Sequence, residues 1–218
     1  MAALRLFAHP FSSYCQKVLI PLHENETPFS YLSLEDPDAK AELGRIWPFG
    51  KFPVLDDDGH TVAEAIAIIE HLGVRHPGPA RMIPGDPALA VEVRMMDRVF
   101  DNFVSTPLQT IVGDRLRRDA NRDPFGVAQA RTVLDTAYRW LDDRMDGRVW
   151  AAGDAFSLAD CAAAPSLFYA DWAHEIGPHF GHLRAYRGRL LARPSFARCV
   201  EEARPFRSYF PLGAPDRD

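Results

Sequence analysis

The sequence predicts an α/β domain built on a mixed β-sheet, followed by an all-helical domain. Three observations carry this reading. Short β-type runs alternate with amphipathic helical runs up to about residue 75. A segment with four prolines and two glycines, His76 to Pro87, then interrupts the pattern. Beyond it only helical periods recur.

Leu4 to Ala8 reads as a strand that ends at the His9-Pro10 turn, and Ser12 to His23 as a helix with Ser12 or Ser13 as its cap. Phe29 to Leu34 has β-type content between Pro28 and Glu35-Asp36-Pro37, and Asp38 to Trp47 looks helical. Phe52 to Leu55 and His60 to Ala63 flank Asp57-Asp58-Gly59, a good hairpin turn, and Glu64 to Val74 closes the region as a helix. The order β-α-β-α-β-β-α joins its first two strands through a helix and its last two through a hairpin, so the sheet is expected to be mixed. The boundaries follow as 1–77 for the α/β domain, 78–87 for a linker and 88–218 for the helical domain. In the latter, Leu89, Val93, Met96, Phe100 and Phe103 keep one helical period, which Pro107 should kink or end. Val127 to Met145 keeps a second, and Leu158 to Trp172 forms a third, bent at Pro165.

With 218 residues, 47% of them hydrophobic and 25% charged, the chain is long enough for a sizeable core and too apolar for wholesale disorder. No apolar run reaches the ~20 residues of a membrane span, and the start of the chain does not resemble a secretory signal. The net charge of −5 falls entirely within the first 80 residues. That balance gives no electrostatic reason to bind nucleic acid or an anionic membrane. Three scattered cysteines, Cys15, Cys161 and Cys199, form no disulfide framework and point to a reducing cytoplasm.

Four motifs bear on chemistry. Ser12 and Ser13 stand where the first strand hands over to the first helix. A helix N-terminus favours a bound thiolate or carboxylate, and a hydroxyl there can donate to sulfur; the same serines can also simply cap the helix. Ser12-x-x-Cys15 has the spacing of a C-x-x-C redox pair with serine in the nucleophilic position, which disfavours dithiol redox catalysis. Phe52-Pro53 is a candidate cis bond that would expose the Phe52 amide to an extended peptide ligand, or else an ordinary proline opening an edge strand. Glu64, before a helix start at Ala65, can bind an ammonium group or complement the helix dipole. Ser157-Leu158-Ala159-Asp160 is a capping box, a structural signal. His174, His179 and His182 lack the spacing and companions of a metal site, and no metal is expected.

In this order the motifs resemble the cytosolic glutathione transferase superfamily, over nearly the whole chain. Ser12 takes the place of the active-site serine of theta- and zeta-like classes, six residues before Val18. Gly50-Lys51-Phe52-Pro53-Val54-Leu55 is similar to the family's G-K-V-P-V-L segment, Glu64-Ala65-Ile66-Ala67-Ile68 to its E-S-x-A-I segment, and Ser157 to Asp160 to its S-x-A-D box. The resemblance implies a thioredoxin-like first domain, glutathione as co-substrate, a small hydrophobic electrophile, and a homodimer. It makes Ser12 the thiolate donor, with Ser13 its rival. Phe52 and Pro53 would hold the cysteinyl backbone, Glu64 and Ala65 the γ-glutamyl end, and Lys51 the glycyl carboxylate. The electrophile is expected between the domains, near Phe11 and Met96 to Phe103. Ala65 departs from the family's serine and removes a charge-assisted hydrogen bond of ~1.5–3 kcal/mol. Three activities are compatible with these residues: conjugation, a glutathione-dependent isomerisation or dehalogenation of the zeta type, and non-catalytic binding.

Overall fold

The computed structural model describes residues 4–218. Its first part runs β1 (Leu4–Ala8), α1 (Ser13–Glu24), β2 (Ser30–Ser33), α2 (Pro37–Ile46), β3 (Val54–Asp57), β4 (His60–Ala63) and α3 (Ala65–Arg75). The sheet order is β2-β1-β3-β4, with β1 and β2 parallel and the other two pairings antiparallel. This is the mixed sheet expected from the connections.

Alternation along the strands decides which side each residue serves. Leu4, Leu6 and Ala8 of β1 and Leu55 of β3 enter the main core, together with α1 and α3 residues such as Val18, Leu22, Ile68 and Leu72. Phe7 and Val54 point to the opposite face and meet Leu43 of α2. The sheet therefore lies between α1 and α3 on one side and α2 on the other.

No helix or strand is present between Arg75 and Pro87. The helical part then comprises α4 (Pro87–Phe100), a π turn (Asp101–Ser105), α5 (Thr106–Arg115), α6 (Pro124–Met145), α7 (Leu158–Ala173), α8 (Gly181–Leu191) and α9 (Pro194–Ala203), closed by a 3₁₀ stretch over Arg204–Tyr209. Among the described residues no helix is long and apolar enough to cross a membrane. Every residue of α7 except Trp172 is buried, as befits a helix apolar on all sides. α7 packs against both α4 and α1, and so ties the helical layer to the α/β layer. Its capping box forms as expected, with the Ser157 N–H donating to Asp160 Oδ2 at 2.9 Å.

Several expectations need correction. β3 begins at Val54 rather than Phe52, because Phe52-Pro53 makes no ladder contact. Pro107 does not end its helix: the backbone passes through the π turn just before it and continues to Arg115. The π turn relaxes the pairing where the proline has no N–H to give. Phe103 is half exposed and does not continue the buried stripe of Val93, Met96 and Phe100.

Candidate functional site

A cleft of about 1330 Å³ opens between the two layers. All seven residues singled out from the sequence, Ser12, Ser13, Lys51, Phe52, Pro53, Glu64 and Ala65, line it. Each comes from a boundary between elements, where backbone groups are unpaired.

Ser12 is the N-cap of α1, with extended backbone, and its Oγ accepts from the Cys15 N–H at 3.3 Å. The capping role is therefore real. It uses an oxygen lone pair and leaves the O–H proton free to donate into the cleft. Ser13, the first helical residue, is buried more deeply. Cys15 is fully buried one turn further on, and its sulfur receives the His9 N–H at 3.4 Å. Burial pushes this thiol up to about 12, outweighing its polar neighbours Ser12 and His9, which act to lower it. Cys15 is thus no thiolate nucleophile at neutral pH.

The Phe52-Pro53 bond is cis. Phe52 is exposed, and among the described residues neither its N–H nor its C=O finds a backbone partner. Those groups are available to an extended ligand. Glu64 has φ 71° and ψ 123°, a sparsely populated conformation for a non-glycine residue. Backbone held there costs ~1–3 kcal/mol and concentrates at ligand-binding positions. It places Glu64 just before α3, whose first N–H groups, from Ala65 and Ile66, have no intrahelical partner. An anion is stabilised at such an end by both the free N–H groups and the helix dipole.

Charge is divided across the cleft. Lys40 and Lys51 are exposed on its α/β side and make no ion pair among the described residues. Sequence reasoning picked out Lys51 but not Lys40, which reads locally as a solvent-facing residue of α2. The opposite wall comes from the α4–α5 rod, through Arg98, Asp101, Asn102, Thr106, Gln109 and Thr110. Met96, placed near the electrophile by the sequence reading, is fully buried and does not line the cleft, whereas Phe11 does. Tyr14 also lines it, and burial raises its hydroxyl above the ordinary range, so it stays protonated.

Behind this wall sits an ion cluster that no local pattern announces. Lys17, on α1, is 1% exposed. Its ammonium lies 2.6 Å from Asp97 Oδ1 and donates to both Asp101 oxygens at 2.9 and 3.0 Å. Arg98 caps the same two carboxylates from the cleft side, donating to Asp97 Oδ2 at 2.7 Å. Burial pushes the Asp101 carboxyl up, and Lys17 opposes that shift.

At the far lip, the chain end folds back over the α/β layer. Tyr209 donates its hydroxyl to Glu35 at 3.0 Å, and His9 Nε2 meets the other Glu35 oxygen at 3.0 Å. The Phe11 N–H donates to His9 Nδ1 at 3.1 Å, so Nε2 is the protonated nitrogen facing Glu35. Nothing in the sequence around Tyr209 signalled this contact.

The histidines weighed as a metal group, His174, His179 and His182, have separate surroundings. His174 pairs with Asp135 and Arg131, His182 lies 3.7 Å from Asp146, and His179 packs on Phe180.

Comparison with known proteins agrees with this architecture. Residues 6–80 match the family model "Glutathione S-transferase, N-terminal domain", and residues 124–192 match "Glutathione S-transferase, C-terminal domain". The chain is 28% identical over 207 residues to FtsZ-localized protein A of Caulobacter vibrioides, covering 90% of each chain. It is 25% identical over 204 residues to glutathione S-transferase F13 of Arabidopsis thaliana, covering 89% of this chain and 93% of that one. Among solved structures, it is similar to a glutathione S-transferase of Methylobacterium radiotolerans in complex with glutathione sulfonate. That match has a TM-score of 0.79 and 28% identity, over 91% of this chain and 94% of the other. With the mixed sheet, the cis Phe52-Pro53 bond, the capped α7 and both family models in one register, the chain belongs to the cytosolic glutathione S-transferase superfamily.

Proposed function

We propose that this protein is a glutathione transferase in which Ser12 holds the glutathione sulfur as thiolate for attack on a small electrophile. The observation that carries the reading is the convergence of Ser12, the open Phe52 amide, Glu64 and the start of α3 on one cleft. In this reading the Phe52 backbone pairs with the cysteinyl residue. Glu64 takes the γ-glutamyl ammonium, and the Ala65 and Ile66 N–H groups take its carboxylate. Lys51 takes the glycyl carboxylate, with Lys40 contributing positive potential nearby. The electrophile lies against Phe11 and the α4–α5 wall.

A free thiol of pKa ~8.5 is only a few per cent ionised at neutral pH. Lowering it by about two units requires ~2.7 kcal/mol of differential stabilisation, within reach of a hydroxyl donor plus a helix N-terminus. The thiol proton leaves to solvent, sulfur bonds to the electrophilic carbon, and the leaving group departs with its electron pair. Ser12→Ala is expected to move the pH at which conjugation of a chromogenic haloarene begins upward by one to two units, roughly the shift just described. An unmoved profile sinks the assignment, and Ser13→Ala measured in parallel decides between the two hydroxyls. Product formed without net glutathione consumption assigns the zeta-type isomerase chemistry instead.

Ala65 favours a second reading, a binding module that kept the fold. It removes a hydroxyl from the γ-glutamyl end, and one relative of comparable similarity is named for its localisation to FtsZ rather than for a reaction. Calorimetry settles the choice: heat on titrating glutathione supports the enzyme, and its absence supports the module. In either reading we expect a homodimer, using exposed apolar side chains such as Val91 and Met95 of α4, to be checked by light scattering. Three buried unpaired thiols fit a reducing compartment.

A further inference from the structure

At the end of α3 remote from the cleft, three metal-type donors converge. Asp57 closes β3, His71 lies in α3, and His76 is the C-cap of α3. Asp57 Oδ2 is 2.7 Å from His71 Nε2 and 2.8 Å from His76 Nε2. The three donor atoms lie within 4.8 Å of one another, the one such group among the described residues. None of these side chains lines the cleft.

The geometry points to a binding site for a divalent late first-row transition ion such as Zn(II), held by Asp57, His71 and His76. Two features suit the group to an ion. Asp57 Oδ2 and the two imidazole Nε2 atoms, which hydrogen-bond to one another here, are already gathered within 4.8 Å. The donor set, two imidazoles and a carboxylate, is that of Zn(II) and its neighbours rather than of Mg(II) or Ca(II), which take oxygen ligands. Ligand bonds of about 2.0–2.2 Å need only small side-chain rotations from this arrangement. The side chains are 8–27% exposed, so the group is held by the fold yet open to solvent. His60, the cross-strand partner of Asp57, has its ring 5.6 Å from that of His71.

The ion would clamp the C-terminal end of α3 to the end of β3. The opposite end of the same helix presents Ala65 to the cleft, so the site is a structural brace. It does not depend on whether the cleft is catalytic.

The test uses the full chain without an affinity tag, stripped with chelator and titrated calorimetrically with Zn(II). One ion per chain is expected, with Co(II) giving the visible absorption of a four- or five-coordinate site and Mg(II) giving no heat. The pair His71→Gln/His76→Gln should weaken Zn(II) binding by roughly tenfold or more, while His174→Gln/His182→Gln leaves it unchanged. Asp57→Asn, which keeps the side-chain shape, should also weaken binding, and circular dichroism checks that each variant is folded. Absence of a one-to-one Zn(II) complex overturns the proposal. So does retention of full affinity in the folded His71/His76 pair or in Asp57→Asn.

Discussion

Lys17 shows how far one side chain's role can lie from its sequence neighbourhood. On an amphipathic helix a lysine reads as a solvent-facing residue, yet this one is sealed against Asp97 and Asp101, eighty or more positions downstream. Removing one member of a buried ion group leaves the others uncompensated, at a cost of ~3–5 kcal/mol. Lys17→Met is therefore expected to lower the unfolding free energy by about that amount in urea titration, as both carboxylates are left with Arg98 alone. The cysteines supply a second test. With its thiol near 12, Cys15 is ionised at pH 8 to about one part in ten thousand, and Cys161 and Cys199 are likewise buried with raised values. Native protein should thus resist a thiol reagent at pH 8 and expose three reactive thiols once unfolded. Ser12, Phe52 and Glu64 were legible as candidates because their chemistry rests on local backbone boundaries. Lys17, Lys40 and Tyr209 were not, because nothing within a turn of them records what the fold brings opposite.

The same divide holds for whole elements. β4 and α7 were read to within a residue of their ends, and each has a local stop or start: the Asp58-Gly59 turn for β4 and the capping box for α7. α5, α8 and α9 were not individually legible. α8 and α9 are short, α8 is rich in arginine, and α5 carries a proline in its first turn just after a π turn, which hides its period. The α7 box also does more than its four-residue motif states. Asp160 accepts from Ser157 N–H, from Ala151 N–H at 2.9 Å and from the Tyr186 hydroxyl at 2.6 Å, all in the interior. Asp160→Ala orphans these three donors and the Ser157 hydroxyl, which donates to Asp160 Oδ2 at 3.1 Å, at ~1–3 kcal/mol each. A loss of at least about 3 kcal/mol is expected in chemical denaturation. Tyr186→Phe, which removes one donor cleanly, should cost less than half as much.

On the scale of the molecule, the two layers are joined too extensively to behave as beads on a string. α1 packs against α7 and α9, the Lys17 cluster crosses the boundary, and Arg193 grips Glu24 through two bonds of 2.6 and 2.8 Å. Thermal unfolding should therefore be a single transition. Far-UV circular dichroism reports on both layers. Tryptophan fluorescence reports mostly on the helical one, where Trp140, Trp150 and Trp172 lie, against Trp47 alone in the other. Coincident curves are expected, and separated midpoints would show that the interface does not couple the layers. The π turn at Asp101–Ser105 has a consequence of the same reach. It houses one residue more than an α-turn needs, and each residue advances a helix by about 100°. Deleting a residue there would regularise the backbone locally while swinging Thr106, Gln109 and Thr110 off the cleft and turning other side chains of α5 toward it. Under the proposed function, the breadth of electrophiles taken by the cleft would be set partly by a phase angle, and a one-residue deletion would change specificity without replacing any side chain that lines it.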